Sequence, residues 1–422
     1  MATLLQACKA HQEKIIQNNH NSSTNSLIDD NDIGNETDRR IDPPTNGQMC
    51  KDVVTEDMVR RKAFRWCQDS IGGAWLQLSS QEDIIIEPIG GGMSNYLYLI
   101  SLPGGTKTLR GEPSQVLLRI YGQISKSTLD FLVHNSVVFA LLAERKLGPK
   151  PYGMYHDGRI EEFIKARPLK PEDLCQPEVM VMVAEKLAQF HDLDMPLCKK
   201  PRWFKSLVRG WIRDVQNNFD SNSDIMAHLL EMCPSFDMDT EFNELLKAAN
   251  DLNCPIVFCH NDLQGGNILL ADKATVGTPK MTIIDWEYGH YNYRGFDLGN
   301  HFNEWMFDYS MTEQPGFKYV PNSYPSKEMQ YKFFRCYLRA SGKGEFTNTD
   351  LAKLYKETNT LTLHSHFAWG VWAMVQAQTS SIDFNYTKNT PPIDYTAYAR
   401  TRFESYFKLK KNLPQMLAEV DC

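Results

Sequence analysis

The chain runs to 422 residues, 42% of them hydrophobic and 23% charged, with a formal net charge of −7. Nucleic-acid binders ordinarily carry a basic excess, so this acidic balance, with no long Lys/Arg run against it, argues against that class. No apolar run approaches the roughly 18 residues of a membrane span, the first ten residues lack the basic and apolar regions of a signal peptide, and the ten cysteines include no C-x-x-C pair, which favours a reducing, cytoplasmic setting over a zinc or disulfide framework.

Residues 16–49 are rich in Asn, Ser, Thr and Asp and poor in aromatics. Such a segment buries too little apolar surface to offset its ordering entropy, so residues 1–52 are expected to form a disordered arm. Over 53–69 the apolar positions recur at helical spacing. The period then changes. Residues 84–86, 96–100 and 116–121 read as strands, with Gly90-Gly91-Gly92 and Pro103-Gly104-Gly105 turning the chain between them. A helix is predicted over 128–147, closed by Gly148-Pro149, and then a hairpin over 154–156 and 160–164 that turns at Asp157-Gly158. Beyond this the pattern is mainly helical, with helices over 177–191, 204–219, 240–251, 328–340, 350–358, 362–378 and 395–409 and strand-like stretches at 256–258 and 281–284. The predicted class is α+β with two lobes, a small β-rich one over 53–165 and a larger helical one over 166–422.

Four stretches carry chemistry. The first is Ile89-Gly90-Gly91-Gly92-Met93-Ser94-Asn95, between two strands. Glycines let a backbone fold over phosphates with its N–H groups inward, but a glycine run between strands is also an ordinary turn, and no Gly-Lys-Ser/Thr follows to make a P-loop. The second is Arg119, a cation inside an apolar strand. It either faces water from an edge strand or stands where protein kinases put a phosphate-binding lysine.

The third stretch is His260-Asn261-Asp262-Leu263-Gln264-Gly265-Gly266-Asn267, with Asp285 after the following strand. Phosphoryl-transfer enzymes use this order of Asp, Asn and downstream Asp. Mg²⁺ takes oxygen ligands, which suits the Asn267 amide and the Asp285 carboxylate; an attacking hydroxyl needs an acceptor for its proton, which suits Asp262. Trp286-Glu287 follows Asp285 where a protein kinase has Phe-Gly, and no Ala-Pro-Glu segment is present, so a protein kinase is disfavoured.

The fourth is the pair Trp369 and Trp372, which share one face of a predicted helix. The pair reads either as core or, with Tyr288, Tyr309, Phe384 and the carboxylate of Glu304, as a ring-lined site for a trimethylammonium head. Such a head donates no hydrogen bonds and is best held by aromatic faces. His260, His290, His301, His364 and His366 match no zinc spacing and read as structural. Asp297 reads as a buried anchor for the 260–267 loop.

With these stretches, the strand Val-Leu-Leu-Arg-Ile-Tyr-Gly at 116–122, the run Ala-Glu-Arg-Lys-Leu-Gly-Pro-Lys-Pro-Tyr-Gly at 143–153 and the block 284–305 (I-D-W-E-Y-x-x-Y-N-Y-R-G-F-D-L-G-N-H-F-x-E-W) make the sequence resemble the choline/ethanolamine kinase family over about 53–413. The resemblance implies a eukaryotic-protein-kinase-like fold, a homodimer, and Mg²⁺- and ATP-dependent phosphorylation of choline to phosphocholine, the first step of phosphatidylcholine synthesis by the CDP-choline route. Ethanolamine, alone or beside choline, is the alternative acceptor, and a non-catalytic binding protein the alternative class. Carried over by motif, Asp262 is implied as catalytic residue and Asn267 and Asp285 as magnesium ligands; Gly91, Gly92, Ser94, Asn95 and Arg119 are implied to face the phosphates, with Glu162-Phe163-Ile164 as the adenine hinge. The acceptor pocket is implied to draw on Gln264, Tyr288, Glu304, Tyr309, Trp369, Trp372, Phe384 and Tyr395. Three methyl groups packed on rings contribute about 2 kcal/mol, at about 0.8 per carbon, which favours choline. Family spacing puts Asn135, not an acid, where a helix carboxylate would pair with Arg119, and the partner of Arg119 stays open.

Overall fold

The computed structural model describes residues 54–89, 95–122, 129–218, 224–271, 280–342, 344–379 and 393–418. The expected disordered arm at 1–52 lies outside them, as do Gly91, Gly92, Ser94 and Phe384.

The first lobe opens with helix α1 (Glu56–Ser70), whose N-cap Thr55 accepts from the backbone N–H of Met58. Its apolar stripe of Val59, Ala63, Trp66 and Cys67 is buried. Strands β1 (Ile85–Ile89), β2 (Asn95–Ser101) and β3 (Gln115–Tyr121), helix α2 (Leu129–Glu144), and strands β4 (Pro151–Tyr155) and β5 (Gly158–Glu162) follow. The strands form one antiparallel sheet in the order β1-β2-β3-β5-β4. On β3, Val116, Leu118 and Ile120 are 0–1% exposed and pack with the α1 stripe. Strand alternation therefore turns Arg119 to the opposite face. The water-facing edge reading of Arg119 is corrected: β3 is central, and Arg119 is 4% exposed. The predicted hairpin also shifts, since β5 ends at Glu162 and Phe163-Ile164 lie in the irregular link between lobes.

The second lobe contains β6 (Arg167–Pro168), α3 (Pro171–Leu174), α4 (Pro177–His191), α5 (Arg202–Asn218), α6 (Asp224–Met232) and α7 (Met238–Asp251). Next come β7 (Ile256–Cys259), β8 (Ile268–Leu270), β9 (Met281–Ile283), β10 (His290–Tyr293) and α8 (Arg294–Glu304). The short strands β11 (Phe307–Asp308) and β12 (Lys318–Tyr319) precede α9 (Lys327–Ala340), α10 (Asn348–Thr379) and α11 (Tyr395–Ala418). The two strand-like stretches of the sequence fall into different sheets: β7 pairs with β10, and β9 with β8, which also pairs with β6. This is the two-lobed protein-kinase-like architecture, with a sheet lobe above a helical lobe. No helix of the described residues is long and apolar enough to cross a membrane.

The predicted helices at 350–358 and 362–378 are one helix, α10. The polar run between them, which looks like a loop in sequence, is buried and hydrogen-bonded. Asn359 Nδ2 donates to Gln330 Oε1 at 2.8 Å, Tyr324 OH donates to Asn359 Oδ1 at 2.9 Å, and Thr362 Oγ1 donates to the Thr358 carbonyl at 2.9 Å. Helix α8 lies against this stretch so closely that a Cβ at Gly299 would sit 2.7 Å from Thr362 Oγ1 and 2.9 Å from the Thr358 carbonyl oxygen.

Candidate active site

The loop after β7 is shaped by two residues with left-handed backbone, Asn261 at φ 67° and, across the site, Asp285 at φ 62°. Asn and Asp tolerate that region better than other L-residues. The strain is held by hydrogen bonds. Asn261 Nδ2 donates to the Tyr288 carbonyl at 2.8 Å, and its Oδ1 accepts from Asn292 Nδ2 at 2.8 Å. Beneath the loop, the fully buried Asp297 of α8 accepts from the backbone N–H of His260 (Oδ2, 2.9 Å) and of Asn261 (Oδ1, 2.8 Å). His191 Nε2 on α4 lies 2.9 Å from the same Oδ2, and its Nδ1 lies 2.8 Å from Tyr337 OH. Burial alone would raise the Asp297 carboxyl, but His191, His260 and the backbone donor outweigh it and hold the group below the usual carboxylate range.

Asp262, set in place by this loop, takes two bonds from Asn267 Nδ2, to its carbonyl at 2.8 Å and to Oδ2 at 3.2 Å. The Asn267 Oδ1 consequently faces away from Asp262. Pairing of β8 with β9 and the bond from Ile284 N to the Asn267 carbonyl, 2.9 Å, bring Asn267 beside Asp285. One amide oxygen and one carboxylate make a hard-oxygen pair suited to Mg²⁺. Burial pushes the Asp262 carboxyl well up, and the nearby Glu304, Asp285 and Glu287 push it further.

Arg119 Nη1 is 3.3 Å from Asp285 Oδ1, and Nη2 is 3.6 Å from Glu161 Oε1. Glu161, on β5, is the partner that the sequence left open. Arg159 and Glu161 alternate on one face of β5, and only the pairing of β5 with β3 puts Arg159 directly opposite Arg119. Arg159 also pairs with Glu161, and its guanidinium lies 4.0 Å over the Phe139 ring of α2. Asn95 begins β2 and is buried, while Phe163 and Ile164 are half-buried in the link between lobes.

Next to Asp262 is a cavity lined by Gln264, Glu287, Tyr288, Glu304, Tyr309, Trp369, Trp372, Tyr398 and Arg402. It is a narrow slot with a cavity volume of about 30 Å³. Its rings meet edge to face: Tyr288 with Trp369 at 5.4 Å, and Trp369 with Trp372 at 5.5 Å. Tyr395 reaches the site through Trp372, 5.5 Å away, and does not line the cavity. Trp369 is fixed by its Nε1 bond to Asn300 Oδ1, 2.8 Å. The structure thus brings together Asp262, Gln264, Tyr288, Glu304, Tyr309, Trp369 and Trp372, and adds Glu287, Tyr398 and Arg402, which sequence reasoning missed. Tyr398 and Arg402 stand one turn apart on the predicted last helix. That spacing was the available signal. Arg402 is fully buried, pairs with Glu304, and lies 4.0 Å over the Phe307 ring; Tyr309 OH donates to Glu304 Oε2 at 2.8 Å. The Glu304 charge is therefore already balanced by Arg402.

The family model for choline/ethanolamine kinase matches residues 86–407. A choline/ethanolamine kinase of Mus musculus is 40% identical over 359 residues, covering 84% of this chain and 87% of the relative. Choline kinase alpha of Mus musculus is 36% identical over 389 residues, covering 86% and 83%. The crystal structure of a choline kinase from Cryptosporidium parvum superposes with a TM-score of 0.65 at 26% identity, covering 85% of this chain and 97% of that one.

Proposed function

Since the chain belongs to the choline/ethanolamine kinase family, we propose that it transfers the γ-phosphoryl group of ATP to the hydroxyl of choline, giving phosphocholine and ADP. The observation that carries this reading is the slot in which the Asp262 carboxylate shares walls with Tyr288, Tyr309, Trp369, Trp372 and Tyr398. The ring faces take the trimethylammonium head, which no hydrogen bond can hold. The hydroxyl end meets Asp262. Its environment raises its proton affinity, which suits a group that orients and accepts the hydroxyl proton as the phosphoryl group moves.

Arg119 faces the phosphates, steadied by Glu161. Asn267 and Asp285 are the residues that would hold Mg²⁺, which when bound neutralises charge on the phosphate oxygens. By the family resemblance Gly91, Gly92, Ser94 and Asn95 are assigned to the phosphates and Glu162-Phe163-Ile164 to the adenine. The same reading carries a cytoplasmic homodimer, which sedimentation of the purified protein tests.

A second acceptor has its own support. Glu287, Gln264 and the Tyr309 and Tyr398 hydroxyls line the slot, and these are acceptors that a primary ammonium would use. Ethanolamine is therefore a competing or additional substrate. Initial rates with ATP and Mg²⁺, choline and ethanolamine side by side, decide between them. A kcat/KM for choline at least about tenfold higher, roughly 1.4 kcal/mol, supports the ring-lined reading. Preference for ethanolamine overturns the choline assignment, and turnover of neither overturns the kinase reading in favour of a binding protein.

A further inference from the structure

Among the described side chains, the carboxylates at ion-pair distance from Arg119 are Glu161 and Asp285. Helix α2 is fastened to the helical lobe by a different device. His134 Nε2 lies 2.9 Å from the carbonyl oxygen of Gly289. Its ring stacks on His290, centroids 3.5 Å apart and planes 20° apart. Trp203 stacks on His290 at 3.8 Å with planes 4° apart, and His134 and Trp203 are 6.4 Å from each other, so His290 lies between them. The three rings come from α2 of the sheet lobe, from the first residue of β10, and from the start of α5.

The segment they grip is the one that matters for both substrates. It begins at Asp285, which faces Arg119, and includes Tyr288, which lines the slot and lies 6.2 Å from Trp203. All three stacked residues are half-buried. Burial lowers His134 to about 4 and pushes His290 down as well, with His134 adding to the effect. Both imidazoles are thus neutral at physiological pH and stack without charge repulsion. The His290 position is one of the three unspecified places in the 284–305 block, at 289, 290 and 303.

We propose that His134 is a positioning residue whose stack and hydrogen bond hold α2, and with it the sheet lobe, against the 285–290 segment, so that Arg119 and Asp285 meet the nucleotide together. This rests on the kinase reading above. The alternative is plain packing between lobes, which would affect stability alone.

The test uses the full chain and three variants, His134→Ala, His134→Phe and Trp203→Leu. Mg·ATP binding is titrated by calorimetry without acceptor, and kcat, KM and the melting temperature are measured separately. His134→Ala is expected to weaken Mg·ATP binding about five- to tenfold and to lower kcat, from the combined loss of one ring pair and one hydrogen bond. His134→Phe, which keeps a flat ring on His290, is expected to stay within about threefold of wild type, and Trp203→Leu to move the same quantities in the same direction as His134→Ala. A lowered melting temperature with Mg·ATP binding and kcat within about twofold of wild type in all three variants overturns the proposal. If the wild-type protein phosphorylates neither choline nor ethanolamine, the kinase reading fails, while the nucleotide titration still decides the role of His134.

Discussion

Replacing Asp297 by Asn tests whether the catalytic loop depends on the carboxylate beneath it. Two donors converge on Oδ2, His260 N and His191 Nε2, both at 2.9 Å, and one on Oδ1, Asn261 N at 2.8 Å. An amide has one accepting atom. It keeps most bonds by placing its oxygen at the Oδ2 position, which turns its NH₂ toward the Asn261 N–H. The lost bond to an ionised acceptor is worth about 1.5–3 kcal/mol, and the orphaned buried donor costs about 1–3 more. The expected loss of stability is thus about 2.5–6 kcal/mol. The orphaned N–H belongs to a left-handed residue immediately before Asp262, so the damage falls where the carboxylate is aimed. A misplacement of about 1 Å there costs roughly 100-fold in turnover. The assay is steady-state kinetics and thermal melting of Asp297→Asn beside wild type, with Mg·ATP affinity as a third reading. A kcat within about threefold of wild type and an unchanged melting temperature would refute the anchor role.

Asp262→Ala should lower kcat by at least about 100-fold while Mg·ATP still binds; near-normal turnover sinks the catalytic assignment. Trp372→Leu should raise KM for choline roughly tenfold and leave KM for ATP near wild type, and equal effects on both would return the tryptophan to a core role. The Asp262 carboxyl is raised by burial and by Glu304, Asp285 and Glu287, and the ionised form is the active one, so kcat/KM for choline should fall as pH drops through that raised value. A profile flat down to about pH 5, still above the ordinary carboxylate range, contradicts this. Gly299→Ala puts a methyl carbon 2.7 Å from Thr362 Oγ1 and 2.9 Å from a helix carbonyl, and should cost about 1–3 kcal/mol by denaturant melting; an unchanged midpoint would show that α8 and α10 can separate freely.

Chemistry confined to one stretch was the most legible part of the sequence. Asp262 and Asn267 are separated by a fixed short spacing, and Asp285 follows the next strand. The structure sets all three within one loop system. Pairings across the sheet were harder to read. Glu161 meets Arg119 only because β5 lies beside β3, a neighbour relation that chain order hides, since α2 and β4 intervene. The burial of Thr358 and Asn359 was invisible for a related reason. Polar residues look like loop until partners such as Gln330 and Tyr324 arrive from other elements. Arg402 was missed because a basic residue on a terminal helix ordinarily faces water, and only the fold reveals Glu304 and Phe307 waiting for it.

One wall of the slot and the residues proposed to face the phosphates come from separate stretches of chain, although Asp262, Gln264, Glu287 and Tyr288 also line the slot. Arg119, Asp262, Asn267 and Asp285 stand on β3 and on the loops around β7 to β9, whereas Trp369, Trp372, Tyr398 and Arg402 project from α10 and α11. Acceptor preference can therefore drift through substitutions on two C-terminal helices while the nucleotide end stays constant. A library confined to Trp369, Trp372 and Tyr398 would explore new amino-alcohol acceptors on an unaltered donor chemistry. Arg402 is the boundary of that freedom, because any change there also strands the buried Glu304 carboxylate.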